Sequence, residues 1–203
     1  MIESAQDRLP RGRHNLSRTD VTAVQRTRML RAMAEAVAER GYVDTPVAAV
    51  IERAGVSRET FYQQFASKQD CFVAALEETI GRLAASLAPV LERSSGTPLE
   101  RYDALLRSYL DTVRAQPATA HLFLIQTYAA GPAAMQRRLE LQQQFVEAIV
   151  RIFGARSAQG RFHAESLVAT TISAVTARFV TDDVAELATL RPKLLALAAT
   201  LFG

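Results

Sequence analysis

The sequence predicts an all-α chain, and three observations carry that expectation. Gly and Pro are sparse, at 9 and 7 of 203 residues, while Ala, Leu, Arg, Glu and Gln abound. Ala and the straight-chain residues lose little freedom in a helix. Apolar residues recur at helical spacing in segment after segment, and no stretch of useful length alternates as a half-buried strand would. Hydrophobic residues make up 49% of the chain, enough for a core, and aromatics only 7%, so that core is mostly aliphatic.

The elements follow in order. Asp20 opens the first helix; Val21, Val24, Met29, Met33, Ala36 and Val37 form its stripe, and Gly41 stops it. Thr45-Pro46 opens the second, with Thr as cap and Pro at the first helical position, where no N–H bond is lost. Val47, Val50, Ile51 and Ala54 follow, and Gly55 ends the helix. Ser57 caps a third, short helix with Phe61 and Phe65 one turn apart. Ser67 to Asp70 reads as a capping box with Asp in the usual Glu or Gln place. The fourth helix runs on through Phe72, Ala75, Leu76, Ile80, Leu83 and Leu87, and Pro89 is expected to kink or end it.

Ser94-Ser95-Gly96-Thr97-Pro98 reads as a junction. Five further helices are expected over 99–114, 117–129, 132–153, 161–180 and 184–202, about nine in all. The expected organisation is a flexible basic arm over 1–19, a helix-turn-helix unit over 20–66 and a helical body over 67–203.

Charge is unevenly placed. Residues 1–31 carry seven bases (Arg8, Arg11, Arg13, Arg18, Arg26, Arg28, Arg31) and three acids (Glu3, Asp7, Asp20), a balance of +4 in a chain whose total is +3. A basic head on a near-neutral body fits a polyanion met at the N-terminal end, or a solvated arm. The single cysteine, Cys71, excludes an internal disulfide framework and reads as a buried structural thiol. With no apolar signal region and no run near ~18 apolar residues, the reading is cytoplasmic, without membrane.

The stretch Ala54 to Phe65, AGVSRETFYQQF, is two half-helices joined at a Gly-containing turn. That is the helix-turn-helix arrangement, whose second helix enters the major groove. Val56, Phe61 and Phe65 face inward; Ser57, Arg58, Glu59, Thr60, Tyr62 and Gln63 face out. Arg bridges guanine, Gln bridges adenine, and Thr touches a base or the thymine methyl. Tyr62 and Lys68 suit phosphates.

The span from Arg26 to Phe72 resembles the DNA-binding domain of the TetR (tetracycline-repressor-like) family. The residues that carry the likeness are Gly41-Tyr42, Thr45, Ala54-Gly55-Val56-Ser57, Arg58, Thr60-Phe61-Tyr62, Phe65 and Ser67-Lys68. The resemblance implies that Thr45, Ser57, Arg58, Thr60, Tyr62, Gln63 and Lys68 contact DNA. Glu59 departs from the family pattern: it suits the helix dipole, is repelled by phosphate, and has cytosine N4 as its useful contact.

The resemblance further implies a homodimeric, ligand-responsive repressor on a near-palindromic operator, without cofactor. Small and apolar residues in the last two helices, among them Ala169, Ser173, Leu194 and Leu197, suit a two-fold contact. Tyr109, His121, Phe123, Gln126, Tyr128, Phe145 and Thr170 put polar tips among apolar neighbours, as a site for a small apolar or amphipathic effector does; a satisfied core explains each of them too. The residues also leave room for a ligand-independent DNA-binding or architectural protein, or a helical interaction protein. His14, His121 and His163 are scattered, no carboxylate cluster surrounds them, and no phosphate loop or nucleophile elbow is present. Neither a metal site nor catalysis is expected.

Overall fold

The computed structural model describes residues 18–92 and 95–203. Among these, nine α-helices form: α1 (Arg18–Arg40), α2 (Val47–Ala54), α3 (Arg58–Gln64), α4 (Lys68–Glu92), α5 (Pro98–Ala115), α6 (Pro117–His121), α7 (Pro132–Phe153), α8 (Ala158–Val180) and α9 (Leu190–Phe202). A π-helical turn, Leu122–Gln126, extends α6, and a 3-10 segment, Val184–Thr189, leads into α9.

The first three helices make a small head. The basic arm expected over 1–19 lies outside the described residues except for its last two positions, which already belong to α1. Pro46 turns out to be the cap residue of α2 and not its first helical residue, and Thr45 makes no capping bond. Gly55 ends α2 in the left-handed conformation (φ 62°). Its N–H donates to Glu52 and the Val56 N–H to Ile51, so two end carbonyls are satisfied at once. Any Cβ at that φ is strained.

α4 leaves the head as a long shaft. Ser67 accepts from the Asp70 N–H (3.0 Å) while the Asp70 carboxylate accepts from Ala66 (2.9 Å), which is the expected capping box shifted by one donor. Pro89 removes one N–H but does not end the helix, because Val90 and Leu91 still pack on the core. α4 packs on α1 at the head and on α5 and α7 in the body, where α8 and α9 complete the bundle. Arg191 of α9 grips Asp103 of α5 with two bonds (2.7 and 2.5 Å), and this guanidinium holds the Asp103 carboxyl below its ordinary range.

Two expected helices change character. The one expected over 117–129 is α-helical only to His121 and then widens. Fully buried Thr127 braces the wide turn, its hydroxyl lying 3.2 and 3.0 Å from the Leu122 and Phe123 carbonyls. The one expected over 184–202 begins as the 3-10 segment. Elsewhere α8 starts at Ala158, earlier than the apolar pattern suggested, because Ser157 caps it by accepting from Gly160 (3.0 Å).

Candidate nucleic-acid interface and inner cavity

α3 is too short to persist alone, so its apolar half fixes it. Phe61 and Phe65 are buried, with ring centroids 5.5 Å apart. Arg26 of α1 stacks over the Phe65 ring at 4.7 Å, and the Gln64 amide donates to the Thr22 carbonyl at 3.2 Å. Ser57 caps the start by accepting from the Thr60 N–H at 3.0 Å.

The opposite half faces solvent. Ser57, Arg58, Glu59, Tyr62 and Gln63 are exposed and Thr60 is half-buried. The Arg58 guanidinium lies 5.4 Å from the Tyr62 ring centre, and the Gln63 amide donates to Glu59 at 3.2 Å. These six side chains therefore share one outward face, with donors and acceptors of the kind that read base edges. The Gln63 bond gives the Glu59 carboxylate a local partner at the place where phosphate would repel it.

Thr45 and Lys68 are placed otherwise. Thr45 is fully buried, its hydroxyl 2.7 Å from the Gly41 carbonyl and 3.2 Å from that of Ala36. The Lys68 ammonium donates to the Tyr42 carbonyl (2.9 Å) and sits 4.2 Å over the Tyr42 ring. Both polar groups brace the Gly41-Tyr42 corner; the Thr45 side chain, being buried, does not offer outward the DNA contact that the resemblance implied for it, while Lys68 remains half-exposed. Cys71, just beyond, is buried, and burial pushes its thiol up to about 12.

In the body an apolar cavity of about 70 Å³ lies among α4, α5, α7, α8 and the π-helical turn. Leu83, Leu106, Tyr109, Phe123, Phe145 and Ile172 are on its wall. Tyr102 and Thr171 add polar tips. Burial pushes the Tyr102 phenol up to about 12 and the Tyr109 phenol higher still.

Of the seven residues expected to meet an effector, Tyr109, Phe123 and Phe145 line this hollow. The other four do not. His121 is half-buried at the end of α6, its Nδ1 has no partner, and burial lowers its pKa. Gln126 turns toward the head, where its Oε1 accepts from the Tyr42 N–H at 2.8 Å. Tyr128 is exposed and its hydroxyl accepts from Arg138 at 2.9 Å. Thr170 is exposed, and its neighbour Thr171 takes the inward position, one helical step away. Buried Arg138 escaped the sequence reading, although it interrupts the apolar register Ala134, Leu141 and Ala148 of α7.

Residues 29–75 match the family model described as bacterial regulatory proteins, tetR family. The head of this chain is a TetR-family DNA-binding domain. The HTH-type transcriptional activator FasR of Mycolicibacterium smegmatis is 26% identical over 152 residues, 73% of this chain and 69% of that protein. Fatty acid degradation regulator FadR of Bacillus halodurans has a TM-score of 0.75 at 18% identity, covering 87% of this chain and 98% of its own. FadR of Bacillus subtilis, solved in complex with stearoyl-CoA, gives 0.74 at 18% identity over 85% and 96% of the two chains. A TetR-like regulator of Rhodococcus sp. RHA1 gives 0.72 at 22% identity over 94% and 96%. At these identities the solved structures show the fold: the TetR architecture runs through head and body alike. Among the described residues no group of His, Cys, Asp and Glu could hold a metal ion, and no helix is long and apolar enough to cross a membrane.

Proposed function

We propose that this TetR-family transcriptional regulator is a homodimeric repressor that senses a long-chain acyl ligand. In this reading the head, residues 20–66, places Ser57, Arg58, Glu59, Thr60, Tyr62 and Gln63 in the major groove of one half-site of a near-palindromic operator. The body, residues 67–203, takes the acyl chain and dimerises through α8 and α9. Exposed small residues along these helices, Ala169, Ser173 and Ala177 on one and Ala196, Ala199 and Thr200 on the other, support close approach of a two-fold mate.

One observation carries the proposal. The π-helical turn belongs to both regions: Phe123 forms cavity wall, and Gln126 holds the backbone of Tyr42 at the head's corner. A ligand that displaces Phe123 would thereby act on the head, provided that it binds the two states unequally. The near-absence of polar groups on the cavity wall favours a hydrocarbon chain. The likeness in fold to a FadR solved with stearoyl-CoA supports the same ligand class.

The test is selection and footprinting of bound genomic fragments, followed by operator affinity at fixed salt with and without palmitoyl-CoA. Release from the operator is expected. An affinity unchanged by saturating ligand would sink the sensing role. Arg58→Ala and Tyr62→Ala are expected to weaken specific binding by about 1–3 kcal/mol each; wild-type affinity in both would remove α3 as the reading helix.

A further inference from the structure

We propose that Arg138 receives the anionic head of the ligand whose acyl tail fills the apolar cavity. The proposal rests on the acyl-ligand reading above and adds a polar end to its site. Arg138 is only 4% exposed. A guanidinium keeps its charge at every accessible pH, and burying a charge without a counter-ion is costly. Among the described residues no carboxylate forms an ion pair with it. Its neighbour in sequence shows the contrast: Arg137 is paired with both Glu77 (2.6 Å) and Glu140 (2.9 Å). Arg138 has the Tyr128 hydroxyl on Nη1, and its buried Nε has no partner.

Its position points to a ligand. The guanidinium sits between two rings, 5.2 Å from the centre of Phe123 and 5.0 Å from that of Tyr128. Such stacking orients the fork without neutralising it. Phe123 is cavity wall. Tyr128 and Arg138 line a wider, more polar groove with Gln142, Ser173 and Thr176, and Ile172 borders both spaces. Arg138 thus stands behind Phe123 of the hollow's wall, on a groove that Ala169, Ser173 and Ala177 of the proposed two-fold contact also line. Its charge is felt inside the hollow, where it opposes the burial-driven rise of the Tyr109 phenol. A carboxylate or phosphate held there would accept the free Nε–H and make the charge-assisted bonds the guanidinium lacks.

The test is calorimetric titration of the full chain with palmitate, palmitoyl-CoA and palmityl alcohol, on wild type and Arg138→Gln. Wild type is expected to favour an anionic ligand over the alcohol by roughly tenfold or more. That preference is expected to vanish in Arg138→Gln while the alcohol binds as before. Loss with palmitate identifies a carboxylate partner, and loss with palmitoyl-CoA alone a headgroup phosphate; either supports the assignment. The wild-type comparison needs no variant to fold: equal affinity for all three overturns the Arg138 role and leaves acyl binding standing. If none of the three binds, the acyl reading itself falls. If Arg138→Gln instead shifts the monomer–dimer equilibrium and keeps the ligand preference, Arg138 serves a subunit contact and the proposal is overturned.

Discussion

The head and the body are built from the same kinds of helix but finished differently. In the head, Gly55 closes α2 and Ser57 caps α3, the aromatic anchors of α3 are fully packed, and Thr45 and Lys68 tie the corner together. The body contains a hollow and a wide π-helical turn. Among the described residues, every buried side-chain polar atom without a partner lies in the body: on Thr79, Arg101, Tyr102, His121, Arg138 and Arg178. Native cores satisfy nearly all such groups, so their concentration on one side separates a finished reading head from a body built to accept something more.

That contrast can be broken most forcefully at Phe61. Phe61→Ala should cost about 3–5 kcal/mol and abolish operator binding, read by denaturant melts and by footprinting. A loss below ~1 kcal/mol would mean that the head is not close-packed. Next comes overpacking, done once on each side. Ala54→Leu, in the full core of the head, should destabilise by about 1–3 kcal/mol. Leu83→Phe, growing into the hollow, should leave the melting temperature nearly unchanged and block ligand uptake. Equal penalties would erase the distinction. Ser57→Ala removes one cap and should cost about 1 kcal/mol, seen as a lower midpoint of unfolding with ligand binding intact.

The smallest effect is one of pH. Burial lowers the His121 pKa from an ordinary 6.5, so near that pH the unfolded chain binds more protons than the folded one. Stability should therefore fall as pH drops through 6.5 and flatten below the folded pKa. His121→Leu should remove that part of the slope in pH-dependent melts.

The head was legible because its signals are local. Caps, a Gly at a left-handed turn and two Phe one turn apart specify α2 and α3 without reference to distant chain. Thr45 and Lys68 show the limit of that legibility: their placement depends on how the Gly41-Tyr42 corner folds back on α4. The hollow depends on which faces of four helices meet, and a single step of helical phase decided between Thr170 and Thr171. Tyr109, Phe123 and Phe145 share the wall because each lies on the apolar stripe of its helix. Gln126 and Tyr128 follow the point where the helix widens, so α-helical periodicity projects them wrongly. Arg138 was a visible interruption of an apolar register and could have been found from the pattern alone.

The π-helical turn between Leu122 and Gln126 holds one residue more than the α-helical turn it replaces. In an α-helix each residue stands about 100° around the axis from the next. If pressure on Phe123 drew this turn back to α pitch, Gln126 would swing through about that angle and release the Tyr42 N–H. Amide exchange at Tyr42, with and without ligand, would record the release. The body would then speak to the head in angular phase, and phase along a helix changes by whole residues, so the signal is a step and not a slope.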